Sequence, residues 1–176
     1  MKHNFQKSFT LIEILVYIFI LTIIIFVISS FVIWGIRVNT KAKVMREVMD
    51  NSRRAMEIMT YEIRESGNVY DPTSSFSFNP GQLSLITTKY LLTDENSAYV
   101  DFFICDSRLC LKKEGQNPIV LTSDQIEIEN LVFSKIVTGN NASVQIDLKV
   151  KYKDTTGKPE YRASVNLRSV ASLRSY

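Results

Sequence analysis

The sequence predicts an α+β fold in which one long N-terminal helix packs against a C-terminal antiparallel β-sheet domain. Three observations lead to this prediction. Residues 14–36 form an apolar run without a charged side chain. Apolar residues then recur at three- and four-residue steps as far as Ile63, and from Leu83 onward apolar and polar residues alternate. With 176 residues, the chain has room for one membrane helix and one modest globular domain.

The apolar run is long enough to cross a bilayer, which takes about 20 residues of helix. A buried core helix and a secretory signal peptide are the alternatives, but the apolar core of a signal peptide spans only about 7–15 residues. Lys2 and Lys7 precede the run. The positive-inside rule therefore predicts a single-pass protein of the cytoplasmic (inner) membrane, with a cytoplasmic N-terminus and an extracytoplasmic C-terminal domain.

Glu13 is a lone carboxylate at the start of this apolar helix. A charge left unpaired in hydrocarbon costs roughly 2.5–3.5 kcal/mol, so the position of Glu13 predicts a partner of opposite charge. The alternative is a simple anchor in which Glu13 only complements the dipole at the N-terminus of the helix.

Beyond the apolar run, the helix is predicted to continue as an amphipathic segment and to end before Gly67, which would serve as its C′ residue. The residues expected to face a core are Met45, Val48, Ser52, Met56, Met59 and Ile63. Charged residues, Glu62 among them, fall on the other faces. The methionines could instead form an adaptable partner surface, but packing against the following sheet is the favoured interpretation.

The alternating pattern predicts a series of strands after the helix. Their expected ranges are 83–87, 98–105, 109–113, 119–121 and 131–137. A final hairpin is expected from residues 144–152 and 161–168, joined by a polar turn at 154–159.

Cys105 and Cys110 are the two cysteines of the chain. A two-residue turn at Ser107 and Arg108 would place them opposite each other as a non-hydrogen-bonded pair, at a Cα separation that a disulfide can span. An oxidising compartment outside the membrane favours that bond. The four-residue spacing suits neither a zinc site nor a thioredoxin-like redox pair.

Little in the composition points to catalysis, to a cofactor or to a metal. His3 is the single histidine and lies in the short basic segment before the apolar run, which disfavours Ser-His-Asp and Cys-His pairs and His-ligated metals. Asp94, Glu95 and Asp101 could contribute to a calcium site, but a solvated acidic loop is the favoured interpretation. The formal net charge is +3, and the basic residues are interleaved with acidic ones instead of forming a basic stripe. No direct contact with nucleic acid is therefore expected.

The segment Phe9-Thr10-Leu11-Ile12-Glu13, after a short basic leader, resembles the N-terminus of type IV pilins and type II secretion pseudopilins. The resemblance implies that a prepilin peptidase cuts between Ser8 and Phe9 and that Phe9 becomes N-methylated. Ser8 stands where the family usually has glycine. The resemblance also implies that Glu13 meets the positively charged amino terminus on Phe9 of a neighbouring subunit and so serves assembly.

The resemblance divides the chain into four parts. These are a leader peptide (1–8), a transmembrane or filament-core helix (9–36), its amphipathic continuation (37–66) and an extracytoplasmic β-rich domain (67–176). Residues 163–169 further resemble J-type minor pseudopilins and W-type minor pilins. Loss of the leader with Lys2 and Lys7 lowers the formal charge from +3 to +1.

The function that the resemblance implies is structural and non-enzymatic. The chain would be a minor pilin or pseudopilin that helps to initiate or cap a type IV pilus or a type II secretion pseudopilus. Its expected partners are other minor and major pilin or pseudopilin subunits, the prepilin peptidase, an inner-membrane assembly platform and membrane lipid. The alternatives are a membrane-anchored extracytoplasmic binding module that does not enter a filament and, less favoured, a tethered hydrolase.

Overall fold

The computed structural model describes residues 10–91, 95–138 and 141–174. Its first element is a single helix, α1, which spans Leu11–Glu65 and confirms the continuous helix expected from the sequence. The chain forms two compact units that divide between Thr40 and Lys41. The first unit contains the apolar part of α1, and the second contains its polar continuation and all the strands.

The second unit contains two antiparallel sheets, which confirms the α+β class. One sheet has the order β1-β2-β3-β4-β5 and the other β6-β7-β8. The strands are β1 (Asn68–Val69), β2 (Leu83–Thr87), β3 (Ala98–Cys105), β4 (Arg108–Lys113), β5 (Ile119–Val120), β6 (Ile126–Thr138), β7 (Asn141–Tyr152) and β8 (Ser164–Ser172).

Strands β4 to β8 differ from their predicted ranges, and the starts of β6 and β8 differ for local reasons. Strand β6 begins five residues earlier than expected, at Ile126, because a bulge between Ile128 and Asn130 shifts the alternation of side chains by one residue. Strand β8 begins at Ser164 because Pro159–Tyr161 forms a 3-10 turn instead of strand. The preceding turn is held by Asp154, whose Oδ1 accepts hydrogen bonds from the N–H groups of Thr156 and Gly157, both at 2.8 Å.

The core of the second unit lies between one face of α1 and the two sheets. The buried helix residues are Val44, Val48, Ser52, Ala55, Met56, Met59, Glu62 and Ile63. The predicted core stripe is therefore confirmed except at Met45, which is 43% exposed while its neighbour Val44 is buried. Fully buried residues of the sheets, such as Phe102 and Phe133, belong to the same core, and burial of each large apolar side chain contributes about 1.5–3 kcal/mol.

The end of α1 differs from the prediction that Gly67 serves as a left-handed C′ residue. Gly67 does not have a positive φ angle. Its N–H donates instead to the carbonyl of Ile86 at 3.0 Å, so that the chain passes directly from the helix into the pairing of β1 with β2. Ser66 closes the last turn by donating its hydroxyl to the carbonyl of Glu62 at 2.6 Å.

The β3–β4 hairpin turns one residue earlier than predicted. Asp106 and Ser107 both have positive φ angles, of 47° and 62°, as the two central residues of a type I′ turn do. Cys105 is therefore paired with Arg108 and not with Cys110, so the expected directly opposed cysteine pair is wrong. A type I′ turn matches the right-handed twist of the flanking strands, and aspartate is among the non-glycine residues that most readily adopt a positive φ angle.

The middle of the outer edge of β6, at Leu131 and Phe133, is covered by the segment of residues 75–81. The N–H groups of Ser77 and Gly81 donate to the carbonyls of Phe133 and Leu131, each at 2.8 Å. The N–H of Leu131 in turn donates to Asn79 Oδ1 at 3.0 Å. This segment therefore occupies the place that a further strand would take beside β6.

Candidate functional site

The first turn of α1 contains the carboxylate that the sequence singles out. The N–H groups of Glu13 and Ile14 donate to the carbonyl of Thr10 at 3.1 and 3.3 Å, which starts the helix just before Leu11. Glu13 thus lies in the first turn, where a negative charge interacts favourably with the unpaired N–H groups of the helix end.

Tyr17 is a functional candidate that the sequence analysis did not identify. It lies one turn after Glu13, and its hydroxyl donates a long hydrogen bond of 3.4 Å to Glu13 Oε1. The spacing of four residues places the two side chains on one face of the helix, and this is the signal that could have identified it. The tyrosine hydroxyl is a neutral donor, so the contact brings no opposite charge to Glu13.

Almost every side chain around Glu13 is exposed. Glu13 itself is half-buried, whereas the other residues from 10 to 39 are all exposed. Among them are large apolar side chains such as Phe26, which is 73% exposed, and Phe31, which is 69% exposed. A continuous apolar surface of this size is typical of a segment that contacts lipid or other protein chains. Within the described residues, α1 is long and apolar enough to span a membrane.

The polar side chain of Thr22, within this segment, is compatible with an apolar environment. The hydroxyl of Thr22 donates to the carbonyl of Ile18 at 2.8 Å, so that it is satisfied within the helix. Phe31 and Trp34 form a tilted aromatic pair with ring centroids 5.8 Å apart, shortly before Arg37, the first charged residue after Glu13. Tryptophan is enriched where a membrane helix reaches the headgroup region.

The remaining predicted site residues are placed as follows. Ser8 and Phe9, the predicted cleavage and methylation positions, lie outside the described residues, as do His3 and Asp94. Cys105 and Cys110 lie diagonally across the β3–β4 hairpin with their Cα atoms 5.9 Å apart, a separation that a disulfide spans. Among the described residues, no three potential metal-ligating side chains lie together.

A polar cluster in the second unit is a feature that the sequence analysis missed. Glu62, expected on an exposed helix face, is only 4% exposed. Its Oε1 accepts a hydrogen bond of 2.9 Å from the hydroxyl of Tyr90 and lies 3.5 Å from Nζ of Lys113. Local periodicity cannot reveal this cluster, because its three members come from the helix, from the loop after β2 and from β4.

Electrostatics keep Lys113 charged in this cluster. Partial burial lowers the pKa of Lys113, but its interaction with the Tyr90 hydroxyl and the negative charge of Glu62 outweigh burial, so that the net shift is upward. The ammonium group also lies 3.8 Å from the ring centroid of Tyr90, a cation–π contact. The cluster links three elements of the fold.

Comparison with known proteins identifies the N-terminal segment. Residues 3–29 match the family model of the prokaryotic N-terminal methylation motif. Neither a curated protein nor a solved structure matches the chain. The matched range includes Glu13, Tyr17 and Thr22 and supports the resemblance of this N-terminus to type IV pilin-like proteins. The chain therefore carries a prokaryotic N-terminal methylation motif at the start of a helix that has the length and composition of a membrane span.

Proposed function

We propose that this chain is a pilin-like structural subunit, a minor pilin or pseudopilin, which is anchored in the inner membrane and then enters a filament or the complex that initiates or caps it. One observation carries the proposal. The methylation motif leads directly into a helix whose apolar side chains are exposed and whose single acidic residue before Arg37 is Glu13. Such a surface suits lipid before assembly and other copies of the same kind of helix afterwards.

The proposed assembly chemistry pairs two charges that are each costly in an apolar filament core. A prepilin peptidase would remove residues 1–8 by cutting between Ser8 and Phe9, and the new amino terminus of Phe9 would be N-methylated. This cationic amine would then meet Glu13 of the adjacent subunit, so that each charge offsets the desolvation of the other. The hydroxyl of Tyr17 would hold the Glu13 carboxylate in position for that contact.

The same proposal assigns the remaining parts of the chain. Residues 9–36 would form the transmembrane or filament-core helix, and residues 37–66 its amphipathic continuation. The β-rich domain of residues 67–176 would be extracytoplasmic and would contact other minor or major subunits. Assembly would need an inner-membrane platform, and the chain itself would act as a structural and not a catalytic component.

The test begins with the mature N-terminus. The full chain is expressed together with a prepilin peptidase, and the purified protein is analysed by mass spectrometry. We expect a chain that begins with N-methylated Phe9. Recovery of an intact leader under these conditions would contradict processing at Ser8.

Filament entry is then compared for two matched variants of the membrane helix. Glu13→Gln removes the charge and keeps the shape, and we expect it to prevent recovery of the subunit in sheared filaments. Thr22→Val removes a hydroxyl that donates only within the helix, to the carbonyl of Ile18. This variant should enter filaments as the unmodified chain does. An anchored binding module would instead give the same membrane fraction for both variants and no filament material for either of them or for the unmodified chain.

A further inference from the structure

The last strand of the second sheet has an open main-chain edge. The N–H of Tyr152 donates to the carbonyl of Ala163, and the N–H of Leu173 donates to that of Ala142, which fixes the hydrogen-bonding phase at both ends of the β7–β8 ladder. In an antiparallel pair the residues bonded to the neighbouring strand alternate with those directed away from it. The N–H and C=O groups of Asn166, Arg168 and Val170 therefore point away from β7.

This edge differs from the other sheet edges in the described part of the chain. The outer edge of β6 is paired with residues 75–81 at Leu131 and Phe133, in the middle of the strand, and the outer strands of the first sheet, β1 and β5, contain only two residues each. Strand β8 has nine residues, and its outer edge has no main-chain partner among the described residues. Proteins usually cover, shorten or interrupt such a strand, because it offers a template for pairing with another chain.

An open groove of about 350 Å³ runs beside this edge. Its floor includes Leu167 and Ser169, the β8 residues whose side chains point towards α1, and its wall includes Tyr61 of the helix. A strand added to β8 would place alternate side chains on the same face as Leu167 and Ser169, and hence in the groove. The unpaired edge and the groove therefore offer complementary main-chain and side-chain contacts.

The charges on the rim favour an acidic occupant. Arg53 and Arg64 are exposed and line the groove at the helix side, with Glu57 between them. The ion pairs formed among the described residues include neither arginine. Two arginines against one glutamate leave a net positive rim, which attracts carboxylates.

We propose that the open edge of β8 binds an extended acidic and apolar segment of a partner protein as an additional antiparallel strand. Its main chain pairs with Asn166, Arg168 and Val170, its apolar side chains enter the groove beside Tyr61, and its carboxylates face Arg53 and Arg64. This mode of recognition takes affinity from main-chain hydrogen bonds and specificity from alternate side chains. The inference rests on the second unit and does not depend on filament entry.

A second copy of this chain is a poorer occupant. Antiparallel pairing of two β8 strands about their midpoint would bring two Arg168 side chains directly opposite each other. Like charges at directly opposed positions of a sheet are destabilising. The positive rim around Arg53 and Arg64 would also remain without acidic partners.

The test uses the full chain in detergent micelles and a fluorescent peptide of the same length as β8, nine residues. Valine and threonine alternate in the peptide, and glutamate occupies both ends. We expect its fluorescence anisotropy to rise on addition of the protein and not on addition of micelles alone. A peptide with methylated main-chain nitrogens at the positions facing β8 should bind about tenfold more weakly or worse, because it lacks the donors for the edge.

Variants of the protein separate the edge from the charges. Val170→Pro removes an edge donor that does not bond to β7, whereas the matched control Val170→Thr keeps it. We expect the first to weaken binding about tenfold and the second to leave it unchanged. Arg64→Glu should weaken binding of the acidic peptide and strengthen binding of a peptide that has lysines at its ends.

Several outcomes would overturn the inference. These are an absence of peptide binding, equal binding of the methylated peptide, or equal binding to Val170→Pro. If the chain self-associates and Val170→Pro abolishes that self-association, the occupant of the edge is a second copy, and the proposed partner is overturned. The methylated peptide leaves the protein unaltered, so its result does not depend on the folding of any variant.

Discussion

The hydroxyl of Tyr90 donates a hydrogen bond of 2.9 Å to the carboxylate of Glu62, which is 4% exposed. This contact joins the loop after β2 to the last turn of α1. The ammonium group of Lys113 lies 3.5 Å from the same oxygen and so balances its charge. The buried carboxylate at the end of the helix therefore contacts both the loop that precedes β3 and the strand β4 that follows it.

Replacement of Tyr90 by phenylalanine should destabilise the second unit. The change removes one donor from a buried carboxylate, and hydrogen bonds to charged groups contribute about 1.5–3 kcal/mol. We expect a decrease of that size in the free energy of unfolding, measured by denaturant titration of the full chain in detergent with near-ultraviolet circular dichroism of the tyrosines. Tyr161→Phe is the matched control, and an equal loss in both variants would contradict the role of Glu62.

Asp147 should make the stability of the second sheet depend on pH in the acidic range. Burial raises the pKa of Asp147, but hydrogen bonds from Arg168, its partner across the ladder, and from Gln145 outweigh burial, so the net pKa lies below its usual 3.8. A lowered pKa contributes stability that is complete above about pH 3.8 and is lost as the pH falls through the folded value. Because Arg168 is largely exposed, we expect only about 0.2–1 kcal/mol.

The variant Asp147→Asn should abolish that part of the acid dependence. The measurement is the free energy of unfolding of each protein, determined at about five pH values between about pH 6 and about pH 2. Asp50→Asn, at an exposed carboxylate of the helix, is the matched control for the loss of one carboxylate. Parallel curves for Asp147→Asn and the unmodified chain would refute the assignment.

Asn51 should anchor the connection between the two sheets to the helix. Its Oδ1 accepts a hydrogen bond of 2.9 Å from the N–H of Ser123, between β5 and β6. Asn51→Ala leaves this main-chain donor unpaired, and we expect a loss of about 1–3 kcal/mol in unfolding free energy. Asn51→Asp keeps an acceptor oxygen and should recover much of the loss, whereas equal destabilisation by both changes would argue against the contact.

We expect Cys105 and Cys110 to be joined in a disulfide when the domain is outside the cytoplasm. Thiol alkylation followed by mass spectrometry should label neither residue before reduction and both after it. The five-residue separation closes only a small loop, so loss of the bond should cost no more than about 2 kcal/mol on the chain-entropy estimate. Complete labelling of the unreduced extracytoplasmic protein would contradict this expectation.

The sequence was sufficient where local pattern decides structure. The long helix and the bounds of β2 and β3 agree with the predictions, because uninterrupted periodicity extends through each of them. The carboxylate of Glu13 was also evident, since a single charge at the start of an apolar run needs no tertiary contact to be noticed.

Other features depend on contacts between distant residues. The burial of Glu62 depends on Tyr90, 28 residues further along the chain, and no helical pattern contains that information. The division of the strands into two sheets and the bulge after Ile128 arise from pairing, which alternation alone does not specify. The turn at Asp106 and Ser107 shows the same limit, because a shift of one residue changes which positions of the hairpin lie opposite each other.

Gly81 has a consequence for the integrity of the whole sheet. A Cβ at this position would lie 2.9 Å from the carbonyl oxygen of Leu131, so any larger residue would push residues 75–81 away from β6. Leu131 and Phe133 would then lose the main-chain and side-chain partners that they have at the outer edge of β6. A change at this glycine would therefore expose part of a second sheet edge beside the open edge of β8, and we expect it to increase pairing of the domain with other strands.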